Sequence, residues 1–113
     1  MRSNEVFLKH IQDEVNFLLR ETRGLTFDEF MNDEVLKRAC ARSFEIIGEA
    51  AARVSPETQA KHPEFPWSDV IGMRHRVAHG YDDINFDIVW ETATIDLPAL
   101  LQQLEQILSN EKV

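Results

Sequence analysis

The sequence predicts an all-α protein, a bundle of four to six helices folded as one domain over residues 1–113. Three observations carry this. Apolar residues recur at the helical period in three long stretches, around 7–19, 36–54 and 97–108. No segment alternates apolar and polar residues as a half-buried strand does. Proline, glycine and capping residues divide the chain into helix-sized pieces joined by short connections. At 113 residues with 43% apolar content, the chain is long enough to bury a core of its own.

Residues 5–20 form the first predicted helix, with Phe7, Leu8, Ile11, Val15, Leu18 and Leu19 as its apolar stripe and Gly24 as its stop. Thr26 and Glu29 have the T-x-x-E spacing of a capping box, so a short helix is predicted there. A second start at Asn32-Asp33-Glu34 opens about six helical turns over 32–54. Leu36, Ala39, Cys40, Ser43, Ile47, Ala50 and Val54 make one face, and its small residues allow another helix to come close. Gly48 inside this helix costs about 1 kcal/mol against alanine, and a tight helix crossing is the simplest compensation. Ser55-Pro56 is an N-cap followed by proline at the first helical position, which predicts a short helix at Pro56–Lys61.

His62-Pro63-Glu64-Phe65-Pro66 is predicted as an extended connection with His62 on the surface, because proline disfavours helix at the residue before it. Trp67 opens a helix over 67–79 whose Val70, Met73 and Val77 share a face, with Gly80 as its stop. Asn85 is a plausible N-cap for 86–95. Asp96-Leu97-Pro98 either kinks that helix or separates it from the last stripe, Leu97, Leu100, Leu101, Leu104, Ile107 and Leu108, with fraying from Ser109 onward.

The formal charge is −8, from 20 acidic and 12 basic residues. That balance argues against broad non-specific binding of nucleic acid, which depends on neutralising phosphates. The signs nearly balance from Arg20 to Arg76, however, so a local positive site at Arg74 and Arg76 fits on an acidic body. The lone Cys40 forms no internal disulfide and reads as a small buried hydrophobe. No apolar run approaches the ~20 residues of a membrane span, and the N-terminus lacks a signal-peptide core. The sequence therefore predicts a cytoplasmic protein with no membrane partner.

Residues 71–81, I-G-M-R-H-R-V-A-H-G-Y, concentrate the chemistry. Within eight positions they hold Arg74, His75, Arg76, His79 and the only tyrosine, Tyr81. Metal-free cleavage of RNA needs a base for the 2′-hydroxyl, a cation for the charge developing on the phosphoryl oxygens, and an acid for the leaving oxygen. Imidazole serves as acid or base near neutral pH, and guanidinium grips phosphate while never losing its proton. Arg74 is therefore assigned as the phosphate cation and His79 as general base or acid, with His75 a secondary candidate. On a continuous helix Arg74 and His79 would sit about 140° apart round the axis. Either the last turn unwinds near Gly80, or a symmetry-related copy supplies the second group in a homodimer. Glu49 reads either as a buried acid serving this site or as a solvated or capping carboxylate, and Arg42 either as a surface ion-pair partner or as a site neighbour. His75 and His79 would share a helical face as an i, i+4 metal pair with Asp82 or Asp83. They lack the glutamate of H-E-x-x-H and stand beside two arginines. No metal and no cofactor is assigned. A purely structural role for Arg74 and both histidines is also open at the level of residue types.

The string R-x-x-x-x-H-x-Y, Arg74 to Tyr81, resembles the signature of HepT-type toxins of the HEPN superfamily. Arg42 to Ala50, ending in I-G-E-A, resembles that family's central helix, and Pro63-Glu64-Phe65-Pro66-Trp67 its P-x-x-P-W connection. Ile71 to Arg74, and Val89-Trp90 through Asp96-Leu97-Pro98, fit as well. The resemblance implies a helical bundle that dimerises around the R-x-x-x-x-H segment, and a metal-independent endoribonuclease acting as the toxin of a type VII toxin–antitoxin system. It implies an RNA substrate, tRNA or mRNA. It also implies a minimal nucleotidyltransferase antitoxin of the MntA type, which neutralises the toxin by AMPylation of Tyr81. His75 stands where the family often has asparagine. The alternative is a non-catalytic subunit that binds a nucleotide or presents a substrate for a nucleotidyltransferase, which the acidic charge mildly favours.

Overall fold

Leu8, Ile11, Val15 and Leu18 lie on one face of α1 (Asn4–Thr22), and all four are fully buried. They meet Phe44, Ile47 and Ala51 of α3 (Glu34–Ala52) on one side. On the other side lie Leu97, Leu104 and Ile107 of the last helix. This computed structural model describes residues 4–78 and 83–111.

Local signals set most helix ends. Gly24, at φ +79°, turns the chain out of α1 in the left-handed conformation that glycine adopts without strain. Thr26 and Glu29 close the capping box of α2 (Phe27–Met31): the Thr26 hydroxyl accepts from the Glu29 amide at 3.1 Å and the Glu29 carboxylate from the Thr26 amide at 2.8 Å. Asp33 caps α3, and Ser55 caps α4 (Pro56–Lys61) with Pro56 at its start. Asn4 ties the beginning of α1 to α4 through Ser55 and Thr58. Cys40 is buried as expected, and burial pushes its thiol up to about 12, assisted by the charges of Glu21 and Asp33.

The connection after α4 departs from expectation. Residues 62–66 form a turn, closed by the Phe65 amide on the His62 carbonyl at 3.2 Å. His62 is buried, not a surface loop residue. Its Nε2 lies 3.0 Å from Glu111 and its Nδ1 3.6 Å from Glu64, while its carbonyl accepts the Trp67 indole N–H at 3.0 Å. Two carboxylates and the indole satisfy the polar groups that burial removes from water.

The helix predicted over 67–79 is two short segments, α5 (Trp67–Ile71) and α6 (Met73–Val77), joined at Gly72. Both pack against α3. Of the two alternatives at Asp96-Leu97-Pro98, the structure takes the first: the helix after Asn85 is distorted and not ended. α7 (Phe86–Glu91) passes through a π-helical turn at Thr92–Asp96 directly into α8 (Leu97–Glu111), as one continuous rod. Pro98 explains the widened turn. It has no N–H to give the Thr94 carbonyl, and its ring would clash with that carbonyl in a regular helix. The Leu97 amide reaches the Thr92 carbonyl, five residues back, instead. α8 remains helical through Ser109 to Glu111, whose carboxylate His62 and Lys61 hold. With α5–α6 taken as one arm and α7–α8 as another, the described chain is an all-α bundle of six helical pieces.

Candidate active site

Gly48 determines where the chemistry-bearing arm sits. A Cβ at this position would lie 3.1 Å from the Ile71 carbonyl oxygen, 3.5 Å from that of Val70 and 3.7 Å from the Arg74 Cβ. The backbone of α5 therefore rests on α3 where α3 has no side chain, which is the tight crossing the glycine predicted. Trp67 anchors the other end of the arm, its ring 4.5 Å from that of Phe65.

Met73 and Val77, four residues apart, are both buried and pin one side of α6 to the bundle. The three residues between them that carry charge or a titratable ring, Arg74, His75 and Arg76, are all exposed. Neighbouring Glu49, one residue after Gly48, brings a carboxylate oxygen to 4.0 Å from the Arg74 guanidinium. Both side chains are almost half exposed (43% and 48%), so Glu49 is not a buried acid: water screens the pair and leaves the guanidinium available to a ligand. Arg42 stands two turns earlier on α3 and pairs with Glu45 at 3.6 Å, beside a groove shared with Glu14, Phe17, Ala39 and Ser43. The structure thus joins Arg74 with Glu49 and gives Arg42 a different partner. Arg76 lines a further groove with Asp69 and Asp96.

The helix ends earlier than predicted. Ala78 is extended, at φ −137° and ψ 131°, and its neighbour Val77 gives its carbonyl to the Asn85 amide at 2.7 Å. A continuing helix would use that carbonyl for the amide four residues on. Ala78 also bridges Ile84 in antiparallel fashion. Long-range pairing has replaced the last helical turn, so the chain leaves at Ala78 and returns at Ile84 side by side. The described helix of Arg74 and His75 therefore ends at Val77. His79, Gly80, Tyr81 and Asp82 lie outside the described residues, and with them the roles expected of His79 and Tyr81. Among the described residues, no three His, Cys, Asp or Glu side chains gather in a metal-binding arrangement.

On one flank Glu49 also lines a groove of about 290 Å³ between α1 and α3, with Phe7, His10, Ile46, Ala50 and Arg53. Sequence reasoning passed over His10 and Arg53. The available signal was the spacing on α3: Ile46, Glu49, Ala50 and Arg53 fall at i, i+3, i+4 and i+7, one face of a helix.

Comparison with known proteins decides the family. The profile described as "Ribonuclease HepT-like" matches residues 11–107, from the first turns of α1 to near the end of α8. The chain belongs to the HepT-like ribonuclease family. A protein provisionally named an RNase, from Caldanaerobacter subterraneus subsp. tengcongensis, is 40% identical over 112 residues, covering 99% of this chain and 100% of its own length. One named probable ribonuclease HepT, from Thermococcus cleftensis, is 30% identical over 106 residues, covering 94% of this chain and 96% of its own. A third, again provisionally named an RNase, from Methanocaldococcus jannaschii, is 31% identical over 103 residues, covering 91% and 85%. No solved structure matches the chain. Among the described residues, no helix is long and apolar enough to cross a membrane.

Proposed function

We propose that this HepT-like chain is a metal-independent endoribonuclease and the toxin of a type VII toxin–antitoxin pair, working as a homodimer. The observation that carries the reading is α6. Its buried Met73 and Val77 hold Arg74 outward, five positions before His79 in the sequence, in a family of ribonucleases. Arg74 binds the non-bridging oxygens of the scissile phosphate and neutralises the charge that grows on them. His79 takes the proton from the 2′-hydroxyl; the 2′-oxygen bonds to phosphorus, the bond to the 5′-oxygen breaks, and that oxygen receives a proton. The products are a 2′,3′-cyclic phosphate and a 5′-hydroxyl. In a two-fold dimer the same segment enters the cleft twice, so one imidazole acts as base and the other as acid. His75, exposed beside Arg74, orients the substrate.

Tyr81, two positions beyond His79, is the site of control. A minimal nucleotidyltransferase antitoxin directs the phenol oxygen onto the α-phosphate of ATP, forming a phosphodiester to AMP and releasing pyrophosphate. The added anionic group and its bulk compete with RNA phosphate for the same guanidinium.

The test is cleavage of cellular RNA by purified, unmodified protein in EDTA. Wild type cleaves, leaving cyclic phosphate ends. Arg74→Ala and His79→Ala each lose at least a hundredfold while keeping the helical spectrum. Wild type inert toward all RNA overturns the reading. It would favour instead a nucleotide-binding subunit of a nucleotidyltransferase, the role that the net charge of −8 and the Glu49–Arg74 pairing support. That subunit shows saturable nucleotide binding and no toxicity without its partner.

A further inference from the structure

The groove between α1 and α3 is contiguous with Arg74, because Glu49 belongs to both: it lines the groove and stands 4.0 Å from the guanidinium. One helical turn along the same face, about 6 Å by the rise of an α-helix, comes Arg53. Of the ten Lys and Arg among the described residues, seven sit within 4.0 Å of a carboxylate, and Arg53 is one of three that do not, with Arg23 and Arg76. In a chain of charge −8, a cation with no carboxylate within ion-pair distance, on the same groove as a carboxylate already shared with Arg74, is a selective feature. His10 faces the same groove from α1. Between these polar walls the floor is apolar, made by Phe7, Ile46 and Ala50. An apolar floor with an aromatic edge, walled by a guanidinium and an imidazole, with the Glu49 carboxylate at the end that meets Arg74, has the chemistry of a single-stranded nucleotide site: a flat base against the floor, its phosphate on the cation away from the carboxylate.

We propose that this groove is a nucleotide subsite of the ribonuclease, which seats the residue flanking the linkage held by Arg74. The base lies over Phe7, Ile46 and Ala50, His10 donates to its edge or sugar, and Arg53 holds the flanking phosphate. The separation of Arg53 from Glu49 along α3 suits one nucleotide step of an extended strand. The inference rests on the ribonuclease reading above, and it places the recognition of neighbouring sequence on α1 and α3 and not on the segment that bears Arg74 and His79.

The experiment uses the full chain and a short fluorescent 2′-O-methyl RNA, which lacks the attacking hydroxyl and so reports binding alone. Arg53→Ala weakens binding several-fold and lowers the slope of log affinity against log salt by about 0.7, the value for one phosphate contact on a single strand. Arg53→Glu weakens it further, and His10→Ala together with Arg53→Ala broadens the set of cleaved sites in an RNA pool at the position next to the cut. Helix α3 is capped by the backbone of Arg53, not its side chain, and that side chain is exposed, so the helical spectrum and melting temperature check folding cleanly. If wild type cleaves RNA but Arg53→Ala and Arg53→Glu bind with unchanged affinity and salt slope, the subsite is wrong and the ribonuclease stands. If Arg53→Glu instead turns a dimer into a monomer in sedimentation, the groove is covered by a second copy and the subsite is wrong. If wild type cleaves nothing, both readings go together.

Discussion

Replacing Gly48 by alanine puts the seat of the catalytic arm to a direct test. In an ordinary helix interior the exchange stabilises by about 1 kcal/mol, because glycine gives up more backbone freedom. Here the new Cβ lies 3.1 Å from the Ile71 carbonyl oxygen, about three-tenths of an ångström inside the 3.4 Å at which ordinary contact begins. The neighbour is backbone, and it is held between buried Trp67 and Val70 on one side and buried Met73 on the other, so it yields only by moving the whole α5–α6 arm. We expect the usual gain to be cancelled, leaving Gly48→Ala between neutral and ~1 kcal/mol less stable than wild type. Gly48→Val adds two methyl groups in the same place and loses about 2–3 kcal/mol, which lowers the melting temperature by roughly 10 °C for a domain of this size. Urea unfolding of the three proteins gives the free energies, and RNA cleavage by the alanine variant reports how far Arg74 has moved. Full stabilisation by alanine together with a well-tolerated valine would mean that α5 does not rest on Gly48.

Further outcomes follow from the same geometry. Glu111 is held below its usual carboxyl value of 4.5, first by its hydrogen bond from His62, which outweighs the opposing effect of burial, and further by Lys61. A depressed folded value means stability that is complete above pH 4.5 and is lost as pH falls through the folded value. Acid titration of the unfolding free energy shows a decline in that window that Glu111→Gln lacks. Cys40, buried and with its thiol pushed up to about 12, stays unmodified by an aromatic disulfide reagent at pH 8 until denaturant opens the core; prompt reaction of the folded protein would contradict its placement. Trp67→Phe keeps the ring but removes the N–H that reaches the His62 carbonyl, and costs about 1–2 kcal/mol in urea unfolding. From the proposed function, and not from the geometry, we expect incubation with a nucleotidyltransferase antitoxin and ATP to raise the intact mass by whole AMP units and Tyr81→Phe to abolish the increase, since the chain has one tyrosine.

By itself the sequence determined what nearest neighbours decide. The capping box of Thr26 and Glu29, the Ser55-Pro56 start of α4 and the Asn85 cap of α7 all depend on hydrogen bonds within three residues, and each is where the residue types place it. The apolar stripes of α1, α3 and α8 follow from helical period alone, and the cost of Gly48 already implied a close crossing. The R-x-x-x-x-H-x-Y string and the chain-long resemblance around it sufficed to identify the family. Tertiary structure decided whatever depends on distant partners. His62 is buried because Glu111, 49 positions away, comes back to meet it. The helix of Arg74 stops at Val77 because the Asn85 amide takes the carbonyl that residue 81 would have used. Helical period carries no information about such competition, since a local hydrogen bond and a long-range one satisfy the same carbonyl equally well. The pairing of Glu49 with Arg74 exists only once α3 and α6 are in contact, and the groove from Glu49 to Arg53 only once α1 lies against α3.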